Sequence, residues 1–159
     1  MKRRTAAAPL LLALVAAALV APAGSSAASS CTAGVTKVGG KPAHAFCGPA
    51  KAVAQVGTKR YSFTGGVCQR SGAVFSVNIG TVVINPVANA KPGSTPYFGL
   101  TVVPPLVGVH VGQTLGWISG GKRFSVLGNR IKLTKGLKSG SFSGKSLPGG
   151  AKVTGTFTC

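Results

Sequence analysis

The chain has 159 residues, with 18 Lys and Arg, two His and no Asp or Glu, which gives a formal net charge of +18 at pH 7. Without side-chain carboxylates it can form no salt bridge between side chains, no carboxylate site for calcium or magnesium and no Ser-His-Asp triad. Glycosidase chemistry with paired carboxylates is excluded for the same reason. We therefore expect a protein that is not an enzyme, and its unbalanced cations favour salt-dependent association with polyanions.

The start of the chain has the pattern of a secretory signal peptide. Three basic residues at 2–4 precede an apolar run over residues 6–20, and small residues follow. This run is shorter than the roughly 20 apolar residues that a membrane-spanning helix needs, so we expect removal of residues 1–28 rather than anchoring. Small-x-small cleavage motifs fall at 21–23 and at 26–28, and we place the cut after the second.

Residues 29–159 then form a single exported domain, long enough to bury about two-thirds of the surface that its unfolded chain exposes. No segment of this domain is apolar over the length that a bilayer span requires. From residue 35 onward, short apolar runs alternate with glycine, proline and serine, and no stretch repeats apolar residues at helical spacing over three turns. The pattern predicts β-strands throughout the domain.

The predicted strands follow one another as hairpins and single runs. Hairpins join residues 35–38 to 43–47, 50–56 to 60–64, 123–127 to 130–134 and 139–144 to 151–159, and single strands cover 73–84, 97–103, 106–111 and 114–118. Prolines mark residues 85–96 as a loop. Strands of this length and spacing favour an all-β fold, an antiparallel β-sandwich or open barrel of about 8–11 short strands.

Two glycine-containing pairs are predicted as turns. Gly65-Gly66 ends one strand, and Gly128-Asn129 is a two-residue hairpin signal between two others. We expect most aromatic side chains to lie in the core, namely Phe63, Phe75, Phe124, Phe142, Phe157 and Trp117.

Basic residues concentrate around the second of these turns. The candidate patch for an anionic partner consists of Lys122, Arg123, Arg130, Lys132, Lys135 and Lys138. The predicted hairpin places Arg130 and Lys132 on one face, with Arg123 nearby. Because no carboxylate balances these charges, we expect the patch to contact an anionic cell-wall polymer or phospholipid headgroups; an ordinary solvated face is the alternative.

Four cysteines in an exported domain predict two disulfides, with three possible pairings. We favour Cys31–Cys47, which closes a small N-terminal loop, and Cys68–Cys159, which ties the last strand to an early one. Alternation along the last predicted strand places Cys159 on the same inward face as Phe157.

Two other uses of the cysteines stay open. A metal site is the first, although the chain has no CxxC motif, and His44, three residues before Cys47, and His110 share no ligand-like spacing. Lipid attachment at Cys31 is the second, but the large aliphatic residue that a lipoprotein signal places three positions earlier is missing. Lipidation would also leave one of the other cysteines unpaired. We therefore expect no metal, no other cofactor and no lipid anchor.

Four short segments resemble the small mycobacterial lipoprotein antigens: VNIG at 77–80, FGLTV at 98–102, GQTLGW at 112–117 and VTGTFTC at 153–159. Those antigens are exported β-rich envelope proteins whose last strand also ends in a cysteine bonded to an early strand. The lipid-attachment motif and the acidic residues of that family are missing here. A further segment, FCGPAK at 46–51, resembles secreted β-rich proteins of high-GC actinobacteria that have not been characterised. The resemblance implies an envelope location and a non-catalytic role.

The leading interpretation is an exported, non-catalytic cell-envelope or extracellular protein with a binding or structural role. The first alternative is a lipid or glycolipid carrier, suggested by the resemblance and by the apolar run over 100–111, which also fits a core strand. The second is an unrecognised hydrolase, whose remaining options are a Ser-Lys pair, a free Cys, or His44 or His110 as a base. Residues 140–144, which include Ser141 and Ser143, resemble GxSxG only superficially, because they are predicted as a strand with no helix after it. Export and the lack of aromatic residues among the basic ones argue against a specific nucleic-acid partner. The oligomeric state is left open.

Overall fold

Antiparallel pairing between neighbouring β-strands organises nearly the whole described chain. The structure, a computed structural model, describes residues 31–84 and 95–159. Its elements are β1 (Gly34–Val38), β2 (Lys41–Phe46), β3 (Ala50–Val56), β4 (Lys59–Ser71), β5 (Val74–Val83), β6 (Tyr97–Val102), β7 (Gly108–Val111), β8 (Thr114–Ser119), β9 (Lys122–Leu133), a 3₁₀ turn (Lys135–Leu137), β10 (Ser139–Leu147) and β11 (Lys152–Thr158). The predicted signal peptide and most of the predicted loop at 85–96 lie outside the described residues. Within the described ranges, no helix is long and apolar enough to span a membrane.

Eight strands form a closed barrel in the order β5-β4-β3-β11-β10-β9-β8-β6. Closure depends on β5, which pairs with β4 along one edge and with β6 along the other, from Phe75↔Val102 to Gly80↔Tyr97. A closed sheet leaves no unpaired edge among its own strands. The all-β prediction is confirmed, and of its two alternatives the protein adopts the barrel, with its ends joined.

Alternating side chains fill the barrel interior. The fully buried large ones include Phe98, Trp117, Phe157, Ile79, Leu100, Ile131 and Leu133. Phe142 lies over Gly155 of the neighbouring strand, where a Cβ would collide with its ring. Pairing a large ring with a glycine lets the aromatic side chains interdigitate at the density of a protein interior. Five of the six aromatic residues predicted as core are buried, and Phe124 is half-buried against Trp117.

The prediction that Gly65-Gly66 ends a strand is wrong, because β4 continues through it to Ser71. Ala50 pairs with Gly66 and Lys51 with Thr64, so Gly65 is an extra residue, a bulge at φ +80°. Bulges of this kind use a glycine in the left-handed region and bend the strand. Here the bend lets β4 leave β3 and pair with β5.

The predicted hairpin at Gly128-Asn129 is also wrong, because β9 runs without interruption from Lys122 to Leu133. Arg130 pairs with Ser143 and Leu127 with Lys145, so the two residues between them face one residue of β10. The pair forms a bulge, and Gly128 takes the positive φ of 54° that the bulge requires. The hairpin lies earlier in the chain, where Gly120-Gly121 joins β8 to β9.

The side chain of Asn129 links this bulge to the bend between β7 and β8. Its buried side-chain amide accepts a hydrogen bond from the Gln113 backbone N–H (3.0 Å) and donates to the carbonyl oxygens of Gln113 and Val126. The backbone carbonyl oxygen of Asn129 accepts a hydrogen bond from the backbone N–H of Gly112 (3.1 Å). These bonds hold the bend at Gly112-Gln113 against β9, so that β8 and β7 pair in one register along the same edge of β9.

A short extension stands outside the barrel. β2 pairs with the end of β5 from Ala43↔Val83 to Phe46↔Gly80, and β1 forms its outer edge. The Cys31–Cys47 disulfide ties the start of the described chain to this extension, with Cα atoms 5.7 Å apart. The expectation of no lipid anchor at Cys31 stays a prediction.

The Cys68–Cys159 disulfide joins β4 to the residue after β11, with Cα atoms 5.5 Å apart. Both favoured pairings are confirmed. The inward position predicted for Cys159 is wrong, because this residue is exposed although Phe157 before it is buried. Cys159 follows the last paired residue, where the barrel opens to solvent and alternation no longer means burial.

Loss of either disulfide is expected to destabilise the fold, and loss of Cys68–Cys159 more. It spans 91 residues against 16 for Cys31–Cys47, so the chain-entropy argument gives about 4.5 kcal/mol against about 3 kcal/mol. For each cysteine pair, urea unfolding of the variant with both cysteines replaced by alanine measures the loss in free energy of unfolding. A larger loss from the shorter loop would contradict this order.

Asn129→Ala is expected to lower the free energy of unfolding by about 2–4 kcal/mol, because it leaves buried backbone groups of β9 and of the β7–β8 turn without partners. The control is Gln55→Ala, which removes an exposed amide with one backbone hydrogen bond and should change stability by about 0.5 kcal/mol or less. Equal effects of the two variants in urea unfolding would show that Asn129 does not hold the bulge.

Candidate functional site

The six residues of the predicted basic patch divide into two groups at opposite ends of the barrel. Lys122 and Arg123 lie at the start of β9, beside the turn from β8. Arg130 and Lys132 lie in its second half, roughly 20 Å further along an extended strand. Since β9 does not fold back on itself, Arg123 does not approach Arg130 in the way the hairpin prediction required.

Four members of the patch do come together at one end, and the structure adds a fifth cation. Lys135 is the first residue of the 3₁₀ turn that follows β9, and Lys138 comes directly after this turn. Arg70 of β4 lines the same surface hollow as Lys138. We call Arg70, Arg130, Lys132, Lys135 and Lys138 the basic end; all five are exposed. Sequence reasoning missed Arg70 because it reaches this end only through the pairing of β4 with β5 and the disulfide to Cys159.

Exposed aliphatic side chains lie beside these cations. We call Val103, Leu106, Val107, Val109 and Val111 the aliphatic arm; they are between 47% and 62% exposed. The expectation that the run over 100–111 is a core strand holds for Leu100 and Val102 but not for the arm. A cluster of exposed aliphatic residues in one short segment marks a contact surface more strongly than scattered ones do.

The pairing of β7 with β9 places two residues of the arm and two of the basic end on one face. Val109 pairs with Lys132, and Val111 with Arg130. Residues directly opposite in an antiparallel pair point to the same side of the sheet, and all four side chains are exposed. Each of these valines therefore has a cation as its cross-strand neighbour.

Hydrogen bonds hold the arm in place. The Val103 N–H donates to Gln113 Oε1 (2.9 Å), the Leu106 N–H donates to the carbonyl of Pro104 (3.0 Å), and His110 Nε2 lies 2.7 Å from the carbonyl oxygen of Leu106. The connection between β6 and β7 thus presents its aliphatic side chains in a defined arrangement.

A surface hollow of about 540 Å³ separates the arm from the end of the barrel. Leu106 and Val107 form one wall, and Arg70 and Lys138 line it too. Its remaining lining includes Phe75, Leu137 and the Cys68–Cys159 disulfide. The hollow combines an apolar lining with two cationic side chains.

The opposite end of the barrel carries a second group of cations. Lys59 and Arg60 follow the turn from β3, and Lys145 pairs directly with Lys152 across β10 and β11. Like charges in direct cross-strand register repel each other, and no acidic side chain is present to relieve them. No aliphatic segment comparable to the arm is found at this end among the described residues; Leu127 and Leu147 are exposed there and line one hollow with Lys145.

A shallow groove of about 250 Å³ lies on the outer wall over β6 and β8, with Arg123 on its lining. The ring of Tyr97 lies across Gly99 of its own strand, and its hydroxyl donates to Asn78 Oδ1 (2.7 Å). Burial in this position raises the pKa of Tyr97 above its ordinary value of 10.0.

The residues considered for hydrolysis are part of the sheet or its edges. Ser141 and Ser143 lie within β10, with no helix after them of the kind that follows a nucleophile in a GxSxG enzyme. The ring of His44 lies 4.6 Å from that of Phe46. Across residues 31–84 and 95–159, no three His or Cys side chains gather closely enough to hold a metal ion. The expectations of no catalysis and no cofactor stay predictions.

Comparisons with protein families, with curated proteins and with solved structures found no match to this chain. The resemblance to the lipoprotein antigens therefore stays a prediction. Fold and surface chemistry define the class: a disulfide-bonded, antiparallel eight-stranded barrel with one end both cationic and aliphatic.

Stability at alkaline pH is expected to depend on Tyr97. The unfolded chain releases the phenolic proton at lower pH than the folded protein, so this contribution is complete below about pH 10 and is lost as pH rises toward the folded-state pKa. At about pH 8, Tyr97→Phe should cost about 1 kcal/mol because it removes the bond to Asn78. The difference from the unmodified protein should shrink above about pH 10 in urea unfolding. A constant difference across this range would contradict the role of Tyr97.

Proposed function

We propose that this protein is an exported, non-catalytic binding or structural protein of the cell envelope or extracellular space, and that it contacts anionic polymers or lipid headgroups through its basic end. The observation that carries the proposal is the complete absence of Asp and Glu in a chain with 18 Lys and Arg. Cations without acidic partners in their own chain are available to anions from outside, and their summed field attracts polyanions.

The distribution of the cations supports this function. Every Lys and Arg among the described residues is exposed. Without acidic side chains, the five cations of the basic end repel one another, as do the cations at the opposite end. Phosphate groups spaced along a polymer or a lipid surface would relieve that repulsion.

Disulfides and the filled interior agree with a binding role outside the cell. Two disulfides in a domain of this size are typical of oxidising compartments. A carrier holding lipid inside the barrel would need space that Phe98, Trp117 and Phe157 occupy. The polymer or lipid surface would therefore be bound at the outside of the barrel.

The proposal predicts binding to inorganic polyphosphate, a soluble polyanion, with an affinity that falls steeply as salt rises. Arg130→Gln/Lys132→Gln/Lys138→Gln should weaken binding and reduce the slope of log affinity against log salt by roughly 0.7–0.9 for each phosphate that the variant no longer neutralises, by analogy with nucleic acids. Titrations at several salt concentrations measure both quantities.

The control removes the same number of cations from the opposite end, as Lys59→Gln/Lys145→Gln/Lys152→Gln. It should have the smaller effect on affinity and slope. Binding that does not respond to salt would refute an electrostatic contact, and equal losses of affinity in the two variants would refute the assignment to the basic end.

A further inference from the structure

We propose that the aliphatic arm inserts into the interface of an anionic phospholipid bilayer while the basic end binds the headgroups. This inference rests on the proposed function and names its partner as a lipid surface. It is carried by two observations. Val109 and Val111 lie across from Lys132 and Arg130 on one face of the sheet, and Leu106 and Val107 line a hollow together with Arg70 and Lys138.

The arm provides the apolar part of such a contact. Half of the large exposed hydrophobic residues in the described chain, five of ten, lie between Val103 and Val111. Val74, a sixth, follows the turn at the same end of the barrel. Side chains that enter the boundary between headgroups and acyl chains gain the free energy of removing apolar surface from water.

The basic end provides the electrostatic part. Lys132 and Arg130 lie directly across from Val109 and Val111 on the same face. Their long side chains can bend toward the phosphates while the valines contact the acyl boundary. Basic residues close to an anionic leaflet each add to binding, and the effect falls off within a Debye length.

Charge also distinguishes a lipid surface from the other occupants of an aliphatic face. A second copy of this chain would bring its own basic end against the first, with no acidic side chain on either copy to balance the repulsion. A hydrophilic polyanion would satisfy the cations but give the arm no apolar environment. An anionic bilayer satisfies both groups together.

The arm is prepared for this contact in the free protein. Its backbone is held by Gln113, by the Leu106 turn and by His110, so little conformational entropy is lost when it binds. Leu106 and Val107 line the hollow and precede the first paired residue of β7, and both side chains are exposed.

The test uses the purified protein with both disulfides and sedimentation with vesicles of phosphatidylcholine, with and without phosphatidylglycerol. The protein should bind the vesicles that contain phosphatidylglycerol. Leu106→Ser/Val107→Ser/Val109→Ser should bind them at least about tenfold more weakly, because three side chains can no longer bury apolar surface. Its affinity for polyphosphate should be unchanged.

The matched control replaces three exposed aliphatic residues elsewhere, as Val35→Ser/Leu127→Ser/Leu147→Ser, and should bind vesicles like the unmodified protein. Unfolding midpoints of both variants show that each is folded. Equal vesicle binding by the arm variant and the unmodified protein, or equally weakened binding in the arm and control variants, would overturn the inference.

Two further outcomes separate this inference from the proposed function. Salt-dependent binding to polyphosphate without binding to anionic vesicles would overturn the lipid contact and leave the proposed function standing; failure to bind either would overturn both. A dimer in sedimentation velocity that the arm variant converts to a monomer would assign the face to a second copy and overturn the lipid contact.

Discussion

The absence of acidic side chains constrains every other feature of this protein. No Lys or Arg can be neutralised within the chain by a side chain, so burial of any of them would carry an uncompensated desolvation cost. The described cations are all exposed, and the interior contains apolar side chains with Asn129 and Ser146 as its buried polar residues. The fold is therefore stabilised by burial of apolar side chains, by backbone hydrogen bonds between strands and by two disulfides. A closed, cross-linked barrel provides all three.

Two β-bulges help the hydrogen-bonded sheet to curve into a barrel. At Gly65, β4 gains a residue against β3 just before it pairs with β5, and at Gly128-Asn129, β9 gains a residue against β10. Each bulge bends a long strand, which lets the sheet curve while its strands stay paired. The other edge of β9 also has a consequence for the surface. There β7 continues the register of β8, which sets Val109 and Val111 of the arm beside Lys132 and Arg130.

The surface that results contains two kinds of groups that rarely occur together without a role. Exposed aliphatic side chains alone favour self-association, and clustered cations alone favour solubility and polyanion binding. Side by side on one rigid face, they complement an anionic, partly apolar boundary. The opposite end has cations without an aliphatic segment among its described residues, so the two ends of one barrel differ in the partners that their chemistry allows.

Local sequence was sufficient for the features that depend on neighbouring residues. Alternation of apolar and polar side chains predicted most of the strands, cysteine number and position favoured the correct disulfide pairs, and composition excluded carboxylate chemistry. The tertiary structure decided whether Gly128-Asn129 forms a turn or a bulge, since both need a positive φ at the glycine and only the partner strands distinguish them. It also decided which apolar strand lies outside and which distant cation joins the basic end. Val109 and Val111 alternate as core residues do, and Arg70 is far along the chain from Lys138, so only the pairing of β7 with β9 and the closure of the barrel could place them.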